Sequence, residues 1–556
     1  MTPVAAAVLN SSTALSTEAA VKAIQLSEEQ LAIAHGVKNK ATGNILTIAR
    51  AGTGKTFLIM QCLALVAGTV AVAAYNNKIA GEIETKIKKA GLNHVKSGTF
   101  HSFGARVLNA LYPKAKCEGR GPRNAGYKKM TRIMRELEVP QYLKAFVAKT
   151  TSMGMMQGFG IVAKDGGAPY KNPKDLAAWR AMVSEYRLDS TIAKDNIAVQ
   201  MAGGHEAVIT EGLRFCYQAM NLSKKLLHEV YSYDDMLYMP LYLDAPIPTF
   251  GFVFVDEGQD SNPLRVEWAC RMMAPGGRIM VVGDNKQAIY RFTGALSSAL
   301  ETIRVRFNCT VFKMTVTFRC AKAIVRMAQQ LVPDYRAAEQ NPEGIARYGA
   351  DALTVEEFEA MTLVPGQDAI ICRNTRPLVE LAFNLIRRNI PCHIEGKDVG
   401  GNLVAQIRFI DEKLKSIVKF EKKMDEYLAV ETAKLHQSDS EMEAEALTDK
   451  IETLRVIMHG LPNGSTMDDV IAKIESLFGD SDENPQPTVA LMTAHKSKGL
   501  EFYRVFGWGI STYMPSPMAQ TPDELEQEEN LEYVLKTRAI MEFYEVYVPR
   551  PAPKER

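Results

Sequence analysis

The chain has 556 residues, of which 46% are hydrophobic and 23% charged, and its formal net charge is +2. This length exceeds one hydrophobic core, and the composition is that of a folded globular protein rather than a disordered or fibrous one. The near-neutral charge gives no evidence for a nucleic-acid partner, and the eight scattered cysteines argue against a zinc ribbon or iron–sulfur cluster and suit a reducing compartment.

The N-terminal segment, residues 1–25, is rich in Ala, Ser and Thr and carries no basic residue before Lys22. The lack of basic residues makes this segment a poor secretory signal. Its Ala-, Ser- and Thr-rich composition predicts that it is disordered. Residues 57–75 form a nearly uncharged run that is long enough to suggest a membrane span, but Gly68 divides it into a helix and a buried strand. The sequence therefore predicts a cytoplasmic protein without a membrane segment.

A phosphate-binding loop is indicated at residues 49–56, between two short apolar runs. Gly52 and Gly54 allow the backbone to wrap around an anion, with its N–H groups pointing inward at a helix N-terminus. Lys55 would reach the β- and γ-phosphates, and Thr56 would place its hydroxyl on Mg²⁺. The remaining candidate nucleotide-binding residues of this loop are Ala51 and Thr53.

A second candidate segment follows the apolar strand pattern at residues 252–255 and reads Asp256, Glu257, Gly258, Gln259 and Asp260. In phosphate-loop ATPases an acidic residue at such a strand end holds Mg²⁺, which predicts that role for Asp256. The adjacent Glu257 is then placed to orient and deprotonate the attacking water.

Each of these segments has another interpretation when it is taken alone. The strict loop pattern begins with Gly where this chain has Ala49, so the loop could be a chance match on a glycine-containing turn. The acidic residues could form an ordinary surface turn after a strand. The two segments together make both alternatives improbable, and we predict ATP hydrolysis with Mg²⁺ as the metal cofactor.

Eight further segments carry motif-like patterns, at residues 26–30, 75–80, 99–103, 233–237, 281–292, 317–319, 492–502 and 529–539. Taken in chain order, these segments resemble the motifs of the superfamily 1 helicases of the UvrD/Rep type. One such match would be weak evidence, whereas eight in the right order are strong. The resemblance extends from Gln30 to Arg538 and implies an α/β fold of two RecA-like parallel-sheet motor domains, each interrupted by a mainly helical insertion.

The resemblance also implies roles at the nucleotide. Arg319 and Arg538 would be brought from the second motor domain across the cleft to neutralise the transferred phosphoryl group, so that hydrolysis requires closure. Either arginine, taken alone, could instead be an ordinary surface or ion-paired residue. Gln287 would touch the γ-phosphate and report its loss. The base and ribose would be bound by Gln30 at the adenine edge, Phe318 on the adenine face and Glu501 at the ribose.

Aromatic side chains support the prediction of nucleic-acid binding, because every base offers a face on which a ring can stack. The alternative for each aromatic residue is core packing. The family commonly has Trp at the position of Phe292, Arg at Thr293 and Thr at Asn76, and these departures predict altered strand contacts without a change at ATP. The strand-contacting positions implied by the resemblance are Tyr75, Phe100, Tyr290 and Phe292, together with the polar residues Asn77, His101, Thr493 and His495.

The order of the motifs predicts the domain organisation. The first motor domain is expected at residues 1–104 plus 233–302, with a helical basic insertion at 105–232. The second is expected at 303–399 plus 485–556, with a reduced helical insertion, similar to the family's fourth domain (2B), at 400–484.

The two insertions have different compositions. Residues 111–149 carry ten Lys or Arg against three Glu with tyrosines interleaved, which favours a surface that grips a nucleic-acid backbone, although a solvated helix face would look the same. Residues 403–461 have the helical spacing of an antiparallel hairpin, and Thr466 precedes a short amphipathic helix that ends near Phe478.

These observations predict an ATP-dependent 3′→5′ DNA helicase or single-strand DNA translocase that acts on single strands and on junctions with duplex DNA. The alternative is a DNA-stimulated ATPase subunit that senses or loads DNA for a partner nuclease, repair or replication protein without processive unwinding. An RNA-directed relative is a third interpretation.

Overall fold

The computed structural model describes residues 26–118, 128–164, 170–192, 197–290, 298–411, 413, 415–437, 441–462, 464–478, 487–517 and 519–549. The expectation for residues 1–25 and the candidate strand contact Phe292, with its neighbour Thr293, lie outside these residues.

The described strands form two six-stranded sheets and two two-stranded sheets. They are β1 (Asn44–Ala49), β2 (Val70–Ala74), β3 (Val95–Thr99), β4 (Lys116–Cys117), β5 (Val230–Tyr231), β6 (Phe250–Val255), β7 (Met273–Gly283), β8 (Cys309–Met314), β9 (Val316–Thr317), β10 (Arg336–Ala337), β11 (Ile345–Arg347), β12 (Asp368–Cys372), β13 (Cys392–Ile394), β14 (Val489–Thr493), β15 (Phe502–Trp508) and β16 (Ala539–Val546).

The helices alternate with these strands and also fill the two insertions. They are α1 (Glu28–Lys38), α2 (Lys55–Leu63), α3 (Asn77–Lys89), α4 (Phe100–Leu111), α5 (Lys128–Glu136), α6 (Lys144–Met156), α7 (Leu176–Glu185), α8 (Ile197–Met201), α9 (His205–Lys225), α10 (Tyr233–Tyr242), α11 (Pro263–Met272), α12 (Ala299–Arg306), α13 (Lys322–Ala328), α14 (Val355–Ala360), α15 (Thr375–Arg387), α16 (Lys397–Asp411), α17 (Ile417–Gln437), α18 (Glu441–His459), α19 (Met467–Leu477), α20 (Ile510–Tyr513) and α21 (Pro522–Lys536).

The first sheet has six parallel strands in the order β3-β2-β6-β7-β1-β8. Its central strands β2 and β6 are buried on both faces, as expected for parallel strands covered by helices, whereas the edge strands β3 and β8 are partly exposed. Along β6, Val253 and Val255 pack into the core on one face, whereas Phe252 and Phe254 pack into the core on the other. Successive strand residues point to opposite faces, so one apolar strand contributes to two cores.

The second sheet also has six parallel strands, in the order β11-β16-β15-β12-β14-β13. On β12, Ile370 and Cys372 belong to the core on one face, and Ala369 and Ile371 belong to the core on the other. The predicted fold of two parallel-sheet motor domains, each accompanied by inserted helices, is therefore confirmed.

Two predictions about element boundaries are corrected by the strand and helix assignments. The predicted start of the second motor domain at residue 303 includes Cys309–Met314, but β8 pairs with β1 at the edge of the first sheet. An apolar edge strand carries no signal of which sheet it joins. The predicted hairpin over residues 403–461 contains three helices, because α16 ends at Asp411 before α17 begins at Ile417, and α17 and α18 are separate helices.

Other local predictions are confirmed. Gly68 has φ 90° and separates α2 from β2, so the long apolar run is a helix and a strand. Thr466 is the N-cap of α19 in a capping box with Asp469. Among the described residues, no helix is long and apolar enough to cross a membrane.

Candidate functional site

Three segments of the first sheet meet at one edge because of its strand order. Strand β7 lies between β1 and β6. The phosphate loop follows β1, Asp256 follows β6, and Gly283, the last residue of β7, leads into Asp284. Parallel strands end at the same sheet edge, which is where ligands of such sheets bind. The fold therefore brings the loop, the acidic pair and the Gln287 segment side by side.

Two glycines shape the phosphate loop. Gly52 and Gly54 have φ values of 68° and 85°. A Cβ at Gly52 would lie 2.5 Å from Thr317 Oγ1 and 2.6 Å from Arg319 Cβ, so a side chain does not fit there. Gly54 is the N-cap of α2, which begins at Lys55, and the unpaired N–H groups of the first helical turn therefore lie at the loop. This is the geometry of an anion-binding loop.

Glu257 is held in an unusual backbone conformation. Its φ of 53° lies in the left-handed region, which costs about 1–3 kcal/mol for a residue other than glycine and is typical of functional sites. Lys55 Nζ lies 3.3 Å from Glu257 Oε1, and Gln259 Nε2 donates to the same carboxylate. Burial opposes ionisation of Glu257, but the charges of Lys55 and Lys498 outweigh burial and lower its pKa. The carboxylate is therefore ionised, as a general base requires.

Asp256 is buried at the end of β6, and its Oδ1 accepts the backbone N–H of Glu257 at 2.9 Å. Burial and the neighbouring Glu257 carboxylate raise the pKa of Asp256. Thr56 follows Lys55 and Asp256 precedes Glu257, so the two predicted metal-binding residues are the sequence neighbours of the Lys55–Glu257 ion pair. A divalent cation bound there would favour the ionised form of Asp256, and the donor set fits Mg²⁺, which prefers few protein ligands beside phosphates.

Gln287 is buried in the turn after β7. Its Nε2 donates to Asp284 Oδ2 at 2.7 Å, and its backbone carbonyl accepts Lys498 Nζ at 2.8 Å. Lys498 also pairs with Asp260 at 2.6 Å. Since Lys498 comes from the segment after β14, the Gln287 turn is held by groups from both motor domains.

The residues predicted to come from the second motor domain differ in their positions. Arg319 Nε lies 2.6 Å from Glu501 Oε2, and the backbone N–H of Phe318 donates to Gly52 O at 3.0 Å. The Phe318 side chain is 43% exposed and is free to offer a ring face. The structure thus brings Phe318, Arg319 and Glu501 to the phosphate loop.

Arg538 lies deeper than Arg319. It is only 2% exposed, and it donates to Val534 O at 2.8 Å and to Leu500 O at 3.1 Å, both in the second motor domain. Burial and the charge of Arg319 lower the pKa of Arg538 to about 10. The guanidinium is therefore buried near Arg319 rather than displayed at the surface of the cleft, because its donors are used by carbonyl groups of its own domain.

Gln30 also reaches the phosphate loop. Its Oε1 accepts the N–H of Ser27 at 3.1 Å in the capping box of α1, and its Nε2 donates to Thr53 O at 3.1 Å. The amide thus braces the loop from the helix that precedes it.

Tyr290, three residues after Gln287, belongs to a stack of two aromatic rings and two basic side chains. The rings of Tyr75 and Tyr290 stack with centroids 5.8 Å apart and an interplanar angle of 8°. The Arg265 guanidinium lies 4.5 Å from the Tyr75 centroid, and Lys498 Nζ lies 4.8 Å from the Tyr290 centroid. These four residues, Arg265, Tyr75, Tyr290 and Lys498, are called the aromatic ladder below. They combine ring faces with positive charge, as a surface for single strands requires.

Phe100 and His101 are both buried, at 4% and 7% exposure. Phe100 packs in a core of the first motor domain, as the core-packing alternative to a strand contact requires. His101 stacks on the half-exposed ring of Tyr233, with centroids 3.8 Å apart. Burial and the charge of Arg265 lower the pKa of His101 to about 3, so its imidazole is neutral near pH 7.

The remaining predicted strand contacts lie at element ends. Thr493 ends β14, and its Oγ1 accepts the N–H of Lys496 at 3.4 Å. His495 lies beside the aromatic ladder, since its carbonyl accepts the Tyr290 hydroxyl at 3.4 Å. Burial and the charges of Arg373 and Lys498 lower the pKa of His495 to about 3. Asn77 is the exposed first residue of α3.

The departure at Asn76 has a structural explanation. Its side chain accepts the N–H of Ile79 at 2.9 Å and caps α3. Asn and Thr are both good N-cap residues, so the helix start is kept.

Several residues in contact with these sites were not among the sequence predictions. Arg50 offered a signal, because it is a basic residue inside the phosphate loop, and Asp284, Lys498 and Tyr533 lie within the matched segments 281–292, 492–502 and 529–539. The contacts of the others depend on the fold and had no local signal. They are Arg265, Asp334 and Tyr335.

Family comparison agrees with this geometry. The model of the UvrD/REP helicase N-terminal domain matches residues 26–308, which is more than half of the chain. The chain belongs to the UvrD/Rep helicase family. The model of the UvrD-like helicase C-terminal domain matches residues 401–548, so the UvrD/Rep resemblance includes both motor domains.

Individual relatives within the UvrD/Rep family are distant. The chain is similar to DNA helicase II of Haemophilus influenzae, with 24% identity over 52% of this chain and 38% of the relative. It is also similar to the ATP-dependent DNA helicase PcrA of Bacillus subtilis, with 23% identity over 52% of this chain and 37% of the relative. The matches therefore span less than half the length of these curated relatives.

Proposed function

We propose that this chain is an ATP- and Mg²⁺-dependent DNA helicase or single-strand DNA translocase that moves 3′→5′ and acts at junctions of single-stranded and duplex DNA. The observation that supports it most is Lys498, which bridges the two halves of the site. It donates to the carbonyl of Gln287 and lies over the ring of Tyr290, three residues farther along the chain. A change at the nucleotide is thereby linked to a change at a ring on which a base can stack.

Hydrolysis is assigned to residues on both sides of the cleft. Lys55 binds the phosphates, and Glu257, which is ionised and close to Lys55, accepts a proton from the attacking water. Arg319 neutralises charge on the transferred phosphoryl group. Its ion pair with Glu501 is partly exposed, so the guanidinium can turn toward a phosphate without leaving a buried charge behind.

Thr56 and Asp256 are the residues proposed to hold Mg²⁺. When bound, the ion neutralises phosphate charge and orients the phosphate oxygens. Among the described residues, no group of three or more His, Cys, Asp or Glu side chains is arranged to hold a metal ion.

Strand binding is assigned to the aromatic ladder and its surroundings. The rings of Tyr75 and Tyr290 stack on each other and each lies under a cation, so a base that stacks on either ring would replace Arg265 or Lys498 there. His101 and His495 are neutral near pH 7, so each would act on the strand as a hydrogen-bonding group rather than as a cation.

The second candidate function is a DNA-stimulated ATPase subunit that senses or loads DNA for a nuclease, repair or replication partner. One observation favours it. The second insertion is small and shares a core with the second sheet, since Phe420 and Ile451 pack in the same cluster as Ile370. An insertion that is fused to a motor domain offers little surface of its own for separating a duplex.

Strand displacement distinguishes the two candidates. Duplexes with a 3′ tail, a 5′ tail or blunt ends are incubated with ATP, with RNA duplexes of the same sequence as a control, and ATPase activity is measured in parallel. The first proposal expects displacement only from the 3′-tailed DNA. DNA-stimulated hydrolysis without displacement would support the second candidate, and stronger stimulation by RNA would overturn both.

A further inference from the structure

Arg50 lies inside the phosphate loop and uses its guanidinium in three directions. Nη1 donates to Asp284 Oδ1 at 2.8 Å and to Asn285 Oδ1 at 2.9 Å. Nε and Nη2 donate to the two carboxylate oxygens of Asp334 at 2.8 Å and 2.9 Å. The side chain is 10% exposed, and Asp284 is completely buried. A bidentate pair of this kind fixes both distance and angle between its partners.

The two carboxylates belong to different motor domains. Asp284 follows β7, and its other oxygen accepts the amide of Gln287 at 2.7 Å. Asp334 lies between α13 and β10, beside Tyr335, which packs in a core of the second motor domain. Arg50 therefore touches the γ-phosphate sensor through Asp284 and the second motor domain through Asp334.

The backbone next to Arg50 is held by the same domain. The Tyr335 hydroxyl donates to Ala51 O at 3.0 Å, and the Ala51 N–H donates to the Tyr533 hydroxyl at 3.1 Å. Both tyrosines are buried. Since the carbonyl and the amide of Ala51 are both bound by the second motor domain, the loop cannot shift without moving that domain or breaking these bonds.

We propose that Arg50 is a positioning residue that couples the phosphate loop to two partners at once, aligning Gln287 through Asp284 and closing the cleft through Asp334. This inference rests on the proposed ATPase function of the cleft. Arg50 acts through the residues it holds, and its effect is on the closed arrangement of the two motor domains rather than on the bonds that change in hydrolysis.

Asp334→Asn is the primary test, because it keeps the size of the side chain and removes the charge from a residue that is 38% exposed. Coupling contributions of single residues correspond to about 2- to 30-fold in rate. We expect DNA-stimulated kcat to fall within that range, with KM for ATP changed less than kcat. Asp334→Glu should restore part of the loss, because it restores the charge.

The matched control is Glu526→Gln, which removes another ion pair between the motor domains. Glu526 Oε1 lies 3.3 Å from Lys286 Nζ, and both side chains are partly exposed. This variant should hydrolyse ATP at the wild-type rate. Equal behaviour of Asp334→Asn and Glu526→Gln would overturn the proposal.

A double-mutant cycle of Arg50→Gln and Asp334→Asn tests the pair itself. Coupled residues give a combined loss smaller than the product of the two single losses, whereas independent residues give multiplicative losses, which would contradict the proposal.

Hydrogen exchange separates this inference from the proposed function. ATP should slow exchange of the amides at residues 284–287 in the wild type and slow it less in Asp334→Asn. If ATP is bound but DNA stimulates no hydrolysis, the proposed function fails while the exchange comparison still tests Arg50. Identical protection in both proteins would overturn the role of Arg50.

Discussion

The nucleotide cleft and the aromatic ladder share Lys498 but are stabilised by different interactions. In the cleft, Lys55 and Arg319 are each engaged by a carboxylate, and much of the surrounding polar surface is buried. In the ladder, the contacts run mainly between ring faces and between rings and cations, and one of these cations, Lys498, also pairs with Asp260. Substitutions in the cleft should therefore affect turnover, and those in the ladder should affect strand affinity.

The largest effect is expected for Lys55→Ala. Removal of the cation that pairs with the phosphates, and with Glu257, should abolish hydrolysis, while single-strand binding without nucleotide survives. Steady-state ATPase and strand-binding titrations on the same preparation test both halves of the statement. Turnover near the wild-type rate would contradict the assignment of ATP hydrolysis to this cleft.

The two arginines should behave differently when each is replaced by Ala. Arg319→Ala should lower kcat by about 10³–10⁵-fold, the range found for arginine fingers, with an unchanged melting temperature. Arg538→Ala should lower both kcat and the melting temperature, because Arg538 is buried and bonded to two carbonyls of its own domain. Loss of nucleotide affinity with normal kcat in both variants would mean that neither arginine stabilises the transition state.

Glu257→Gln should lower kcat by about 10²–10⁴-fold, the usual contribution of a general base. Nucleotide affinity should be retained, because Lys55, Thr56 and Asp256 are unchanged. Equilibrium binding of ATP and single-turnover hydrolysis give the two quantities separately. Normal hydrolysis would identify another residue as the base.

Tyr290→Ala tests whether the aromatic ladder binds single strands. Loss of one base–aromatic stack should cost about 1–3 kcal/mol of single-strand affinity, with basal hydrolysis intact and DNA stimulation reduced. Titrations at one fixed salt concentration are needed, because phosphate contacts depend steeply on salt. Phe100→Leu is the control, since a buried core residue should alter stability without a selective change in strand affinity. The same affinity loss in both variants would contradict a stacking role for Tyr290.

The smallest effect concerns the two histidines. In the folded chain the pKa values of His101 and His495 are lowered to about 3, whereas an unfolded histidine has a pKa of about 6.5. Their stabilising contribution is complete above pH 6.5 and is lost as pH falls below it, by up to about 1.4 kcal/mol per pH unit for each residue. His495→Gln should weaken this dependence in denaturant unfolding between pH 5 and 8, and an unchanged slope would place the histidine pKa elsewhere.

The sequence was most informative where chemistry restricts the choice of residue. The phosphate loop, the acidic pair at the end of β6 and the glycine that separates α2 from β2 could be predicted because each depends on local backbone conformation or on one side-chain type. The fold class followed from the order of the motifs. The individual catalytic and strand-binding roles predicted for these residues remain predictions.

Local features could therefore be predicted from the sequence: the residues that turn around an anion, the strand ends that carry carboxylates and the helices that are capped. The tertiary structure decided that β8 joins the first sheet, that Arg538 and Phe100 are buried, and that Arg50 contacts Asp284 and Asp334. These outcomes depend on pairing and burial between segments up to 284 residues apart in the chain, as for Arg50 and Asp334, and a local pattern carries no information about such distances.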